Sequence, residues 1–548
     1  MKRFGRRESH DRVARQIDGD DLVMRHQEPA DALGPHRLGT VFLTLLAAAA
    51  AWLLGGPHWG DDLVVLVVFV LLCGAGLRSG VGLLTIFTFV LTFPPFQWPL
   101  YWICFAPLTW LWRQPDEATT GWLGEAFGVG FAMCWLSMPF VRADFPQSGI
   151  LIQAIASLLF GFQIIAIAAA IRWSRDRPVA VSALLAATAA TSCDILRVSV
   201  LRWPLLAIGS PAAGTPIAQW AYYVSLFGVS FFIYTANFLI LPGRASLREL
   251  RAWGPPVSAG LLVALAWSGG ELIARGVRVE QVPLSALIVQ PNRVIGGSVG
   301  IASTSGDGPI AFQLDRQTRT ALDGGRPVEL VIWPECSIRK AVERLGSPEP
   351  AETHDRDREP TLDWLFRSLV SDVRIPCLVG AITATRDGLR FNSALLVTPE
   401  GEVQRYDKRT LVIGAESMYT RGGPYRCLRL LTSGGRTVRI GVSICYEMHF
   451  PWLPQYSAAN CPDLMVHLNN ESMYRAYRGQ PVHGTWACQF RAIETRTWQL
   501  VCASWTRSAV IDPRGCVREI LQARPGVIRV LPEDGSGRDD PSSHPVPR

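Results

Sequence analysis

VRIGVSICYE, Val438 to Glu447, carries an alternating apolar pattern that runs into a cysteine. Val438, Ile440, Val442 and Ile444 alternate with Arg439, Gly441 and Ser443, the two-residue period of a strand. Tyr446, Glu447 and the His449 to Pro451 tripeptide end it. Cys445 is therefore expected at the exposed end of a strand, where a thiol can act as a nucleophile. A free cysteine is more often a small buried hydrophobe, so other stretches must decide whether Cys445 is reactive.

Around this strand the chain from about residue 280 alternates short apolar segments with polar, helical ones. LSALIVQ (284–290), ELVIWPE (329–335), PCLVGAI (376–382) and SALLVTPEG (393–401) precede it; DLMVHLNN (463–470), QLVCASW (499–505) and SAVIDPRG (508–515) follow. A helix is expected near Gly484 to Arg496. The alternation predicts a layered α/β domain. Continuous apolar strands such as Leu330 to Trp333 require cover on both faces, which favours helices outside a pair of packed sheets.

The 548 residues exceed one ordinary domain, and 49% hydrophobic residues with a mean hydropathy of +0.19 is high for a soluble protein. The excess lies before Arg278. Residues 1–38 read as a polar, arginine-rich, disordered tail on the cytoplasmic side. Apolar runs then cover about 39–56, 63–77, 81–95, 97–112, 121–141, 149–171, 179–199, 217–241 and 255–274, which predicts about nine membrane helices within 39–278. With the amino terminus inside, Arg78, Arg113, the cluster Arg172, Arg175 and Arg177, and the cluster Arg244, Arg248 and Arg251 fall in cytoplasmic loops. The odd number of crossings places residues 279–532 on the extracytoplasmic side, followed by a polar tail, 533–548. The net charge of +7 then reflects membrane topology, and the globular half shows no basic stripe with interleaved aromatics, so nucleic acid is not expected as a partner.

Two further strand ends carry chemistry: Glu335 closes VIWPE, and Lys408 follows SALLVTPEGEVQRYDK. Taken alone, either would be an ordinary solvated loop residue. Together, Glu335 in WPE, Lys408 in YDK and Cys445 in ICYE resemble the Glu, Lys, Cys triad of the nitrilase (carbon-nitrogen hydrolase) superfamily. Within it, the multi-pass half resembles the apolipoprotein N-acyltransferase family. LTFPPFQWPLYW (91–102), DILRVSVLRWP (194–204) and IVQPN (288–292) carry that resemblance, which covers roughly residues 80 to 515. It implies a multi-pass α-helical membrane domain followed by an αββα sandwich, with catalytic Glu335, Lys408 and Cys445 and supporting Glu416, Tyr446 and Glu447. The implied partners are a phospholipid acyl donor, a diacylglyceryl lipoprotein acceptor and the bacterial cytoplasmic (inner) membrane.

If the three residues meet, Glu335 can take the thiol proton, while Lys408 lowers the thiol's pKa and stabilises an oxyanion. The resemblance implies that Cys445 takes an acyl chain from a phospholipid and passes it to the α-amine of a lipoprotein cysteine. The sequence departs from the family after Lys408 (RTLVIGAESMY), at Asn470 to Tyr474 and at Ser504 to Arg507; the 39–77 runs are additional, and no long apolar run follows Ile511. A membrane-tethered amidase or a non-enzymatic lipid-binding relative are the alternative readings. The twelve cysteines show no CxxC pair, the nine histidines no ligand pair, and a phosphate-binding glycine loop is missing, so no metal or cofactor is expected. His449 is the one histidine close enough in sequence to shape the Cys445 turn.

Overall fold

A computed structural model describes residues 80–93, 99–113, 121–138, 141, 149–240, 254–291, 309–342, 360–413, 416–451, 462–470, 483–505, 507–522 and 524–532. The tails at 1–38 and 533–548 and the runs at 39–56 and 63–77 lie outside the described residues.

The helical half comprises α1 (Gly80–Thr92), α2 (Ala106–Trp112), α3 (Trp122–Ser137), α4 (Gly149–Trp173), α5 (Val179–Ser199), α6 (Ala221–Leu239) and α7 (Gly254–Gly276). Among the described residues, four helices are long and apolar enough to cross a membrane: α4, α5, α6 with its 3-10 lead-in from Pro216, and α7. At 1.5 Å per residue, the 25 residues of α4 reach roughly 38 Å, more than the ~30 Å of hydrocarbon. The 13 residues of α1 and 16 of α3 fall short of that span. The run at 97–112, expected as one crossing, is broken into a 3-10 turn at Pro99–Trp102 and the seven-residue α2. Pro99 and Pro107 lack the N–H that a continuous helix needs, and each sits where a new turn begins.

The second half is a sandwich of two six-stranded sheets. The first sheet contains β1 (Ala286–Gln290), β2 (Leu330–Val342), β3 (Cys377–Ala384), β4 (Arg390–Val397), β5 (Val403–Asp407) and β12 (Gly526–Val530), in the order β12-β1-β2-β3-β4-β5. The second contains β6 (Leu428–Leu431), β7 (Thr437–Ile444), β8 (Leu464–Asn469), β9 (Trp498–Ala503), β10 (Ser508–Ile511) and β11 (Val517–Leu521), in the order β11-β10-β9-β8-β7-β6. Strand parity builds the layers. Ile288, Leu330, Ile332 and Leu378 face Val438, Ile440, Val442 and Ile444 between the sheets. Leu287, Val289, Val331 and Trp333 turn outward beneath α8 (Ile310–Leu322) and a helical stretch over 362–373. On the other side α9 (His483–Thr495) covers β9 and β10 through Cys488 and Ala492 against Val501, Ala509 and Ile511. This is the helix–sheet–sheet–helix arrangement that the doubly apolar strands require.

The two halves are joined through α9, whose other face adds Trp486, Phe490 and Ile493 to the core of the helical half. Helix α6 is interrupted at Ser225, where φ is 58°. The freed N–H of Leu226 donates to Glu494 Oε1 at 3.1 Å, so a carboxylate from the sandwich caps the restarted helix. Arg496 Nη1 donates to Gln219 Oε1 at 2.9 Å, and Gln219 Nε2 donates to the Arg514 carbonyl at 2.6 Å.

Candidate active site

Glu335 owes its position to an irregularity that its local sequence creates. The register of β2 against β3 runs regularly to Trp333↔Val379 and resumes only at Ile338↔Ala381. Pro334 cannot donate to the ladder, and Cys336 adopts a left-handed conformation with φ of 55°. The bulge holds Glu335 at 3% exposure. Opposite it lies Gly380, where a Cβ would come within 2.5 Å of Glu335 Cα and of the Pro334 carbonyl oxygen. Gly380→Ala must therefore displace the glutamate. A shift of about 1 Å in a reacting group can cost about a hundredfold in rate, and a loss of that order is the expected result in an acyl-enzyme assay on folded protein.

Lys408 follows the β4–β5 hairpin, and its N–H donates to the Asn392 carbonyl at 2.8 Å. Its ammonium is buried between two carboxylates, 3.3 Å from Glu335 Oε1 and 2.9 Å from Glu416 Oε1. Asn392 completes the group, its Nδ2 donating to Glu335 Oε1 at 2.7 Å and Glu416 Oε1 at 3.1 Å. Burial works against the charge on Lys408, but Glu335 and Glu416 outweigh it and hold the ammonium well above the ordinary lysine value. Burial raises the Glu335 carboxyl, Lys408 lowers it, and the nearby Glu416 raises it again, leaving it above the usual glutamate value.

Cys445 is the first residue after β7, with φ of 48°, a left-handed conformation that throws the half-buried thiol off the strand end. Its Sγ lies 3.9 Å from the Asn470 carbonyl oxygen. Burial pushes its pKa up, Glu335 adds to the rise, and Lys408 opposes it. The expected lowering by Lys408 is present but overridden, because desolvation disfavours the thiolate more than one lysine already shared by two carboxylates favours it. The thiol form is thus favoured at rest, with Glu335 and Lys408 the charged groups that bear most on it.

Glu447 is held by backbone donors and a tyrosine hydroxyl. Its Oε1 accepts from the N–H groups of Arg409 at 2.8 Å and Thr410 at 3.1 Å, its Oε2 from Ile444 N–H at 2.9 Å, and both from the Tyr406 hydroxyl at 3.0 Å. One carboxylate thus ties the loop after Lys408 to the end of the strand before Cys445. Glu447→Ala would strand three backbone donors, and the expected result is acyl-enzyme formation slowed at least about tenfold, since each buried unpaired donor costs roughly 1–3 kcal/mol. Glu416 also fixes the loop, accepting from Val412 N–H at 2.8 Å through Oε2. Tyr446 reaches the helical half: its hydroxyl donates to the Arg202 carbonyl at 2.5 Å. Burial, then the charges of His483, Arg491 and His467, lower His449 to about 3, which favours the neutral ring.

Asn392 and Gly380 were not legible as site residues from sequence. The signal for Asn392 was a polar residue near the start of a mostly apolar strand, FNSALLV; for Gly380 it was a glycine inside the apolar run CLVGAI. No cluster of His, Cys, Asp and Glu fit to hold a metal occurs among the described residues.

A buried glutamate, lysine and strand-end cysteine on a two-sheet sandwich define a carbon-nitrogen hydrolase domain, and residues 312–528 match the carbon-nitrogen hydrolase family model. Residues 82–239 match the model of the apolipoprotein N-acyltransferase N-terminal domain. The chain thus carries both matches, the N-terminal-domain model ahead of the hydrolase model. Among its relatives, apolipoprotein N-acyltransferase 2 of Treponema pallidum is 26% identical over 244 residues, covering 39% of this chain and 42% of the relative. The Geobacter metallireducens apolipoprotein N-acyltransferase is 27% identical over 330 residues, 55% of this chain and 58% of the relative. The chain thus spans about half the length of these two. The Azotobacter vinelandii apolipoprotein N-acyltransferase is 25% identical over 458 residues, 78% of this chain and 83% of the relative.

Proposed function

We propose that this chain is an apolipoprotein N-acyltransferase of a bacterial cytoplasmic membrane, working through Glu335, Lys408 and Cys445. The observation that carries the proposal is the seating of Cys445: its thiol answers to Glu335 and Lys408 on one side, while the adjacent Tyr446 is bonded to a loop of the helical half. A soluble small-amide hydrolase has no use for that second contact.

In the first half-reaction Glu335 takes the thiol proton as Cys445 Sγ attacks the ester carbonyl of a phospholipid. Lys408 and a backbone N–H beyond Cys445 stabilise the oxyanion. Collapse breaks the ester C–O bond, Glu335 returns the proton to the leaving oxygen, and a lysophospholipid departs. In the second, the α-amine of a diacylglyceryl-cysteine attacks the thioester, Glu335 accepts its proton, and the sulfur leaves to be reprotonated as the thiol. Glu416, Tyr446 and Glu447 position these three.

The proposal extends to the whole chain: a tail at 1–38, about nine helices within 39–278, a catalytic domain over 279–532 outside the cytoplasm, and a tail at 533–548. The arginine clusters at 172–177 and 244–251, which fall at the junctions of the first with the second and of the third with the fourth of the membrane-length helices, support this orientation. Cysteine labelling from either side of the membrane tests it, and cytoplasmic labelling of residues 516–548 would overturn it. The activity is tested in proteoliposomes holding labelled phospholipid and a diacylated lipopeptide with a free amino terminus. Labelled triacyl lipopeptide is the expected product. Release of free fatty acid alone would favour a tethered hydrolase.

A further inference from the structure

We propose that Asp194 and Arg197, an ion pair inside the helical half, are positioning residues for Cys445, acting through the loop at 200–206 and the hydroxyl of Tyr446. Both lie on α5, 0% and 2% exposed, three residues apart, with Arg197 Nη2 donating to Asp194 Oδ1 at 2.7 Å. Two charges within an apolar bundle are costly unless paired, and a buried ion pair is weak evidence of a purely stabilising role. Here the carboxylate is saturated. Gln163 Nε2 from α4 donates to Asp194 Oδ1 at 3.0 Å, and the Tyr234 hydroxyl from α6 donates to Oδ2 at 3.1 Å. Three helices thus fix Asp194, and Asp194 fixes the guanidinium.

The Nη1 end of the guanidinium does the positioning. Arg197 Nη1 donates to the Trp203 carbonyl at 2.9 Å and also to the Leu205 carbonyl, while the Trp203 N–H returns to the Arg197 carbonyl at 3.1 Å. These bonds gather a loop that would not otherwise hold its shape, since Arg202 and Leu206 both adopt left-handed conformations, φ 55° and 62°. Between them the Arg202 carbonyl is turned to accept the Tyr446 hydroxyl. Tyr446 follows Cys445 directly in the turn, so the chain of contacts from Asp194 ends one residue from the nucleophile. A planar fork spanning two carbonyls while pairing with a carboxylate is a task for arginine that lysine cannot copy.

The test uses the full chain in detergent or nanodiscs and follows N-ethylmaleimide alkylation of Cys445 by peptide mass spectrometry across pH, beside the thermal midpoint. It needs no acyl donor, so it stands or falls apart from the acyltransferase reading, on which only the catalytic meaning of the positioning depends. Tyr446→Phe, which removes only the hydroxyl, and Arg197→Gln are each expected to slow alkylation about fivefold to tenfold, the size of one lost buried hydrogen bond. The double variant is expected to be no slower than the slower single one. Arg197→Lys is expected to keep the thermal midpoint close to that of the parent and still slow Cys445. Tyr234→Phe and Gln163→Leu each strip one donor from Asp194 and should give the same effect at smaller size, which keeps the test open if Arg197→Gln does not fold. Multiplicative slowing in the double variant, or full rescue by lysine, would overturn the proposal and leave the pair as bundle structure alone.

Discussion

Cys445→Ala is expected to abolish acyl-enzyme formation and all transfer to a lipopeptide while leaving the fold intact. The side chain is half-buried at a strand end, and alanine keeps the Cβ, so little packing is lost. The one cost is already present in the parent, because φ of 48° is strained for cysteine and alanine alike. Among the described cysteines, Cys336 and Cys488 are buried and Cys427 packs against the core between the sheets, so none of these three is expected to replace the lost nucleophile. Rates are expected to fall to the uncatalysed level, measured as product in the proteoliposome assay. Residual transfer above that level would remove Cys445 from the reaction path.

Lys408→Ala and Glu335→Gln carry the next largest effects, and they fail in different ways. Lys408→Ala leaves Glu335 and Glu416 facing each other across a shared buried site, linked by Asn392 alone. Like charges so placed cannot both ionise, so the variant loses the oxyanion donor and also drives its base toward the protonated form. Loss of one preorganised donor costs about a hundredfold to a thousandfold, and both half-reactions should slow by at least that much. Glu335→Gln keeps the shape of the side chain but cannot take a proton. Acylation by the parent enzyme should rise with pH, since the base form of Glu335 is needed, and its midpoint should lie above the ordinary glutamate value of 4.5 because burial raises this carboxyl. The glutamine variant should be slow and flat across that range. A parent profile that falls with pH there would contradict Glu335 as base.

The strands that build the sandwich core were legible because physics demanded a simple pattern of them. Leu330 to Trp333 needs cover on both faces and has it, and the Val438 to Ile444 alternation points every second side chain into the layer between the sheets. The β4–β5 hairpin also follows its sequence, Val397 pairing with Val403 around Pro399 to Gly401. Edge strands were not legible. Val517–Leu521 and Leu428–Leu431 are short and mix exposed charged residues with apolar ones, so their pairing is set by the sheets they join.

Within the site, the three motif residues stood out by chemical type and context. What positions them did not. Glu335 depends on a bulge whose signature is one proline and a glycine on the neighbouring strand, and Lys408 depends on Asn392, an amide that could equally have been a turn residue. Among the helices, hydropathy alone cannot distinguish a crossing from a folded-back segment. The 97–112 run is apolar over most of its length, and its two prolines, not its hydropathy, carried the information that it breaks.

The most direct measurement is the intact mass of the purified protein after incubation with one phospholipid of defined acyl chains, followed by addition of a diacylated lipopeptide. The account predicts a mass increase of one acyl group, mapped to Cys445, that disappears when the lipopeptide is added and reappears as triacylated peptide. An acyl adduct that persists in the presence of the amine, or one that maps to another residue, would contradict it.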